Sequence, residues 1–298
     1  MKIKLINVDS IKIPNLALMQ LSAWHKSLGD TVAFDIPDPD RVYISCIFKK
    51  NAALAKGIAT YYEDSEVILG GSGLDLHSTI PEPAQKIKPD YSLFPNMNYS
   101  LGFTTRGCIR NCGFCIVPKK EGRLHRWQHI SEFHDPQHKH VKLLDNNWYA
   151  DKDWFFENSN YLIDNKLTVD VTQGMDLRIL TEEIAEQLSR LKFENHTLNF
   201  AWDNLKDQAK VFDGLGILTN AGIKPHYIQV YVLTGYNTTP EEDIYRVNKL
   251  RDAGFLAFVM KYKNTPENKD LARYVNRREL YKSMTYAEYN PHYRRQKK

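Results

Sequence analysis

Residues 102–122, GFTTRGCIRNCGFCIVPKKEG, hold three of the chain's four cysteines, Cys108, Cys112 and Cys115, in a C-x-x-x-C-x-x-C pattern. Three thiols within eight residues cannot staple a chain of 298 residues with disulfides, so they read as reduced metal ligands on one tight loop. Three thiolates can hold three irons of a 4Fe-4S cluster, and the fourth iron is then open to another ligand. The competing reading is a zinc site closed by a nearby histidine such as His125. Zinc motifs, however, usually pair their cysteines in two separate knuckles. The fourth cysteine, Cys46, sits inside the apolar run YISCIF and reads as a buried core thiol. No second cluster is therefore indicated.

The loop follows a strand-like run, Tyr99 to Thr104, and a regular pattern continues beyond it. Apolar runs HVKLLD, TVDVTQ, TLNFAW, YIQVYVL and FLAFVM are centred near Val141, Val169, Leu198, Ile228 and Leu256, in steps of 28 to 30 residues. That is the length of one strand, one helix and two loops. Thr239, Pro240 and Glu242 form a helix start, and Gly222 and Gly254 are helix stops. Six βα units make an open barrel, whose chemistry belongs at the C-terminal ends of its strands. Ahead of it, strand-like runs at Ile3 to Val8, Val42 to Ile47 and Glu66 to Leu69 alternate with helical patterns. The first helix shows apolar spacing at Leu16, Met19, Ala23, Trp24 and Leu28 and ends near Gly29; the second spans about Asn51 to Tyr62. Pro81, Pro83, Pro89 and Pro95 then interrupt regular structure. The predicted fold is α/β: a small Rossmann-like parallel sheet (1–95), a partial (βα)6 barrel (96–270) and a basic extension (271–298).

With Phe114 at the aromatic position of C-x-x-x-C-x-aromatic-C, and the motif placed after the first strand of a six-unit barrel, the sequence resembles the radical S-adenosylmethionine (SAM) superfamily. The resemblance implies that Cys108, Cys112 and Cys115 bind a 4Fe-4S cluster whose open iron chelates the methionine end of SAM. Reductive cleavage would then yield methionine and a 5′-deoxyadenosyl radical that takes hydrogen from substrate, with electrons from a donor such as flavodoxin or ferredoxin. It also places cofactor contacts at strand ends: Phe114 in the loop, Asp145, Asn146 and Asn147 after the second strand, and Gln173 and Arg178 after the third. Asp203 follows the fourth strand, Thr234 and Gly235 follow the fifth, and Met260 to Tyr262 end the sixth, near where adenine would lie. The second-strand segment LDNN departs from the Gly-Gly-Glu-like segment usual there, which leaves its donors and acceptors open and admits a catalytically silent homologue. A guanidinium such as that of Arg178 suits a carboxylate, whereas Asp203 or Asn204 could equally cap the next helix.

The N-terminal sheet is similar to the cobalamin-binding domain found ahead of the barrel in one radical SAM subgroup, through VILGGSG at the end of its third strand. It lacks the D-x-H-x-x-G segment, so a degenerate domain that may not bind cobalamin is expected. Gly71 and Gly73 do not continue as G-x-G-x-x-G, so a dinucleotide site is unsupported. The alternatives are a cobalamin-dependent methyltransferase, or a zinc or iron-sulfur protein that binds nucleic acid without catalysis.

Net charge is +4, but residues 271–298 carry eight basic side chains against Glu279 and Glu288, a local +6 that leaves −2 elsewhere. Tyr274, Tyr281, Tyr286, Tyr289 and Tyr293 are interleaved with Arg273, Arg277, Arg278, Lys282, Arg294, Arg295, Lys297 and Lys298. That pattern suits either a nucleic-acid strand or a solvated face of the chain's own domain. His125, His129, His134, His138 and His140 read as a solvated loop. No apolar run approaches the roughly 18 residues of a membrane span, and MKIKLINVDSIKIP alternates like a strand, unlike a signal peptide. The expectation is a cytoplasmic protein with no membrane partner.

Overall fold

The computed structural model describes residues 1–10 and 12–289. Its first unit runs β1 (Lys2–Asn7), α1 (Leu16–Ser27), β2 (Thr31–Ala33), β3 (Arg41–Ser45), α2 (Ala52–Ala59) and β4 (Glu66–Gly70). The four strands lie parallel in the order β2-β1-β3-β4. The three-residue β2, too short to show a period, had no sequence signal. In α1 the buried face runs through Leu18, Leu21, Ser22 and His25; of the expected stripe Met19 is buried and Trp24 packs half-buried on the core, while Leu16 and Ala23 are half-buried and Leu28 is exposed. Two polar residues occupy that face because each finds a partner. Ser22 donates to Asp90, while the His25 ring meets Asp30 at Nδ1 and the Tyr43 hydroxyl at Nε2.

The second unit opens with β5 (Tyr99–Gly102), β6 (Thr105–Arg106), α3 (Val117–Lys120), β7 (His125–Arg126) and α4 (Ile130–Phe133). Regular alternation follows: β8 (His140–Leu143), α5 (Lys152–Asp164), β9 (Thr168–Val171), α6 (Glu182–Arg190), β10 (Lys192–Phe193), β11 (Leu198–Ala201), α7 (Gln208–Asn220), β12 (Ile228–Thr234), α8 (Pro240–Asp252), β13 (Leu256–Lys261) and α9 (Pro266–Val275). The sheets β10-β9-β8-β5 and β11-β12-β13 are parallel throughout. They join where Met175, just past β9, bridges Phe200 in β11. Six of these seven strands, all but the two-residue β10, are each followed by helix and form the partial (βα)6 barrel. Val141, Leu143, Val169, Val171, Phe200, Val230, Val232 and Val259 supply its core, the apolar runs expected of strands covered on both faces. The capping box at Thr239 and Glu242 is present, and Gly222 and Gly254 adopt positive φ after their helices.

Two expectations change. The boundary at 270 falls inside α9, the helix that packs on β13, and α10 (Arg278–Ser283) and α11 (Tyr286–Tyr289) continue against it. Tyr274, Tyr281 and Tyr289 belong to the barrel's core cluster. The Tyr274 hydroxyl donates to the Met284 carbonyl, and that of Tyr281 to the Val247 carbonyl. These rings are therefore closed to stacking nucleobases; Tyr293, Arg294, Arg295, Lys297 and Lys298 lie outside the described residues. The histidine segment is likewise not wholly solvated. His134 and His138 are buried, the first between the Tyr161 hydroxyl and the His138 carbonyl, the second beside the Ser100 hydroxyl. Among the described residues no helix is long and apolar enough to cross a membrane.

Because these tyrosines fill core, Tyr274→Ala and Tyr281→Ala should each lower stability by about 3–5 kcal/mol. Urea unfolding followed by circular dichroism measures this. Unchanged midpoints would return the segment to a solvated extension.

Candidate functional site

The cysteine loop is assembled at the end of β5. Thr104 and Thr105 donate through both backbone N–H and hydroxyl groups to Asp145, which is fully buried past the end of β8. The loop then turns at Gly107, whose φ is +75° and where a Cβ would lie 2.2 Å from the Arg123 carbonyl oxygen, so only glycine fits. Glu121 closes the loop from its far end. Its carboxylate accepts from the Gly107 N–H, the Arg106 guanidinium and the Asn146 amide. Burial opposes the Glu121 charge, but Arg106 and these donors hold its carboxyl below the usual range.

Inside the loop, the Arg110 N–H points to the Cys108 sulfur and the Val117 N–H to the Cys115 sulfur. Burial pushes the Cys108 and Cys112 thiols up, so the metal-free chain holds them protonated at neutral pH, and a metal would have to displace those protons. Among the described residues no three His, Cys, Asp or Glu side chains converge as a single-ion site would require. All three cysteines line one cavity of about 200 Å³, together with Arg110, Phe114, Val117, Pro118, Asn146, Asn147, Gln173, Gly174, Asp176, Arg178, Ala201 and Asp203. His125 is not in this wall; it is exposed, and its ring meets the Arg123 carbonyl.

The opposite wall is organised by Asp176, which the sequence reading did not single out. It accepts from Arg110 Nε at 2.7 Å, from Arg178 Nε at 2.7 Å and Nη2 at 3.1 Å, and from the Arg178 N–H. Its own N–H donates to Asn147 Oδ1, which fixes the orientation of that amide and leaves Asn147 Nδ2 buried without a partner among the described residues. Arg178 also donates Nη1 to Asp207, so all its guanidinium nitrogens serve carboxylates of this chain, in place of the free edge expected for a ligand. Arg110, by contrast, commits only its Nε, and its terminal nitrogens have no acceptor among the described residues.

The strand ends sort the remaining expected residues. Asn146, Asn147, Gln173, Arg178 and Asp203 share the cavity with the cysteines. Asp145 does not, because Thr104 and Thr105 saturate its oxygens, and it acts by fixing the start of the loop. Thr234 is fully buried, and the Gly235 N–H donates to Asp243; neither reaches the cavity wall. The turn after β11 is capped by Asn204, not by Asp203. Asp203 is thus left in the cavity, where burial pushes its carboxyl up to about 6. The fifth strand reaches the loop through Tyr236 instead, whose ring meets Phe114 at 5.2 Å and Tyr262 at 4.8 Å. A Cβ on Gly113 would lie 2.4 Å from its hydroxyl.

Behind this rim, fully buried Arg246 donates to the carbonyls of Trp202 and Leu233 and to Asp243, pinning the ends of β11 and β12 together. Arg246→Ala would strand the Asp243 charge, and a loss of about 3–5 kcal/mol is expected in urea unfolding. Asp203 yields the opposite sign. The folded chain binds its proton more tightly than the unfolded chain, so the penalty for ionising it grows as pH rises from 3.8 to about 6 and is complete above that. Asp203→Asn should therefore stabilise the metal-free protein by about 3 kcal/mol at neutral pH. The gain should vanish in acid, and an equal gain at both pH values would refute the assignment.

No protein-family model matches the sequence, and no curated protein is significantly similar to it. Comparison of the fold with solved structures finds TsrM of Kitasatospora setae, a radical S-adenosylmethionine methyltransferase solved with cobalamin and a 4Fe-4S cluster bound. The TM-score is 0.64 at 13% sequence identity, covering 87% of this chain and 74% of that one. The fold is accordingly similar to that of this one enzyme, and in this chain it is a partial barrel preceded by a Rossmann-like sheet.

Proposed function

We propose that the chain is a radical SAM enzyme with one 4Fe-4S cluster. The observation that carries this reading is that Cys108, Cys112 and Cys115 line one cavity at the carboxyl end of the first barrel strand. Among the described residues its wall contains no fourth cysteine and no histidine. The donor set fits the cluster: three soft thiols, with backbone N–H groups already directed at two of the sulfurs. The buried, unpartnered Asn147 Nδ2 fits an acceptor brought in with the bound groups. When bound and reduced, such a cluster supplies one electron to the sulfonium of SAM, dividing it into methionine and a 5′-deoxyadenosyl radical that abstracts hydrogen from substrate.

The chain's own residues bind and orient. Arg110 offers a guanidinium edge to a carboxylate, and Asn146, Asn147, Gln173 and Asp203 offer a polar wall. The linked rings of Phe114, Tyr236 and Tyr262 offer an aromatic shelf beside the loop on which an adenine could rest. An external electron donor such as flavodoxin or ferredoxin is part of this proposal.

The fold likeness to TsrM favours a second reading, a cobalamin-dependent methyltransferase. What weighs against it is the use this chain makes of its paired glycines. A Cβ on Gly71 would lie 2.3 Å from the Cys46 carbonyl oxygen, and one on Gly73 would lie 2.7 Å from the Phe48 carbonyl carbon. The space that glycine opens is taken by the backbone after β3, which Asp9 holds through the N–H groups of Ile47 and Phe48. The residues present do not form a cradle for a cofactor tail at that point.

Anaerobic reconstitution with iron and sulfide, followed by a reductant-dependent assay for 5′-deoxyadenosine, tests the principal reading. Product is expected from the wild type and should fall at least about a hundredfold in Cys112→Ala. Absence of product from a protein that holds a full cluster would refute it. Stoichiometric uptake of hydroxocobalamin would promote the second reading.

A further inference from the structure

We infer that the free edge of β4, the outer strand of the N-terminal sheet, is a docking surface for a second copy of this chain, joined antiparallel about a twofold axis. The inference concerns the sheet alone and stands independently of the cluster and of the reaction.

The edge is open in its hydrogen bonds. In the order β2-β1-β3-β4 the last strand has a neighbour on one side, and no strand pairs with its other side among the described residues. The Glu66 N–H donates to the Asp40 carbonyl and the Gly70 carbonyl accepts from the Cys46 N–H, so Glu66, Ile68 and Gly70 direct their backbone groups to β3. By alternation the N–H and C=O groups of Val67 and Leu69 point outward. Sheet edges are usually blunted by lysine, proline or a bulge. The strand Glu66–Gly70, EVILG, contains no lysine or proline and pairs with β3 in unbroken register. Its one charge, Glu66, is already paired with Arg41 at 2.7 Å.

The side chains around this edge are apolar and uncovered. Helix α1 packs over β1, β2 and β3, and Ile68, beside Tyr43 on that face, stays 36% exposed. On the opposite face Val67 packs against the cluster under α2, while Leu69 is 38% exposed. Phe48 after β3, Leu54 on α2 and Tyr61 before β4 are exposed as well. A five-residue strand alone buries too little for a stable dimer, and these three side chains widen the patch.

Charge selects the occupant. Lys49 and Lys50 follow β3 at the carboxyl end of the sheet, and Glu63 and Asp64 precede β4 at its amino end. All four are exposed, and among the described residues none of them forms an ion pair. A parallel copy would set like charges together, whereas an antiparallel copy brings each acidic end to the basic end of the other. The hydrogen bonds agree with this arrangement. Centred on Ile68, the twofold sets Val67 of each copy opposite Leu69 of the other, and each such pair exchanges two bonds between the groups that point outward. The two Ile68 side chains then meet across the axis.

Sedimentation velocity of the full-length chain, kept reduced so that thiols do not cross-link it, tests the surface. Wild type is expected to form a particle of twice the chain mass as concentration rises. Ile68→Lys sets like charges opposite each other and should raise the dissociation constant about tenfold or more. Lys49→Glu/Lys50→Glu and Glu63→Lys/Asp64→Lys should each be monomeric where wild type is dimeric. An equimolar mixture of these two variants should form a heterodimer, because mixing restores opposite charges at both ends. A wild type that stays monomeric overturns the proposal, as does a dimer that Ile68→Lys leaves intact, or charge variants that fail to combine when mixed. If Ile68→Lys does not fold, the mixing experiment decides alone.

Discussion

Asp176 stands between two guanidiniums, and the seating of the cysteine loop over the barrel follows from that one carboxylate. A nearly buried carboxylate costs several kcal/mol unless it is paired and hydrogen-bonded. This one has three guanidinium bonds and a backbone donor. The donors come from different strand ends. Arg110 belongs to the loop after β5, Arg178 to the turn after β9, and Asn147, bonded to the Asp176 N–H, to the turn after β8. Through Asp207 the network reaches the turn after β11. Arg246 repeats the device at β11 and β12, so polar clamps hold adjacent strand ends in register around the cavity. Such clamps suit a site that must keep its geometry as charge is added to it.

The barrel was legible from the sequence because each of its strands after the first is a short apolar run at a nearly constant spacing, and burial on both faces demands that pattern. The cysteine loop was legible because thiols at that spacing have few other uses. What escaped notice was set by contacts distant in sequence. Asp176 and Arg110 are ordinary surface residue types until 66 positions of chain bring them together. Tyr236 follows an unremarkable strand end, and only the close approach to Gly113 reveals its role. Arg178 was seen as a cation suited to a ligand, yet the carboxylates that occupy it, Asp176 and Asp207, are visible only in space. The buried face of α1 escaped for the same reason, since Ser22 and His25 count as apolar only once Asp90, Asp30 and Tyr43 satisfy them.

The N-terminal sheet packs its strand ends closely against one another. Its glycines at the end of β4 fit the backbone after β3 closely, and that backbone is in turn fastened by Asp9. A fold likeness therefore carries over the layout of strands and helices, while the chemistry of each strand end belongs to the side chains this chain places there. At the barrel those side chains are thiols, amides and a guanidinium; at the sheet they close against one another.

We propose that Cys108, Cys112 and Cys115 hold a cluster with one iron open to SAM. The most direct measurement is the electron paramagnetic resonance spectrum of the reduced, reconstituted protein before and after SAM is added. A reduced 4Fe-4S signal whose shape changes on adding SAM, with the change absent when 5′-methylthioadenosine is added instead, is the predicted result. A cluster signal indifferent to SAM, or zinc in place of iron, would contradict the account.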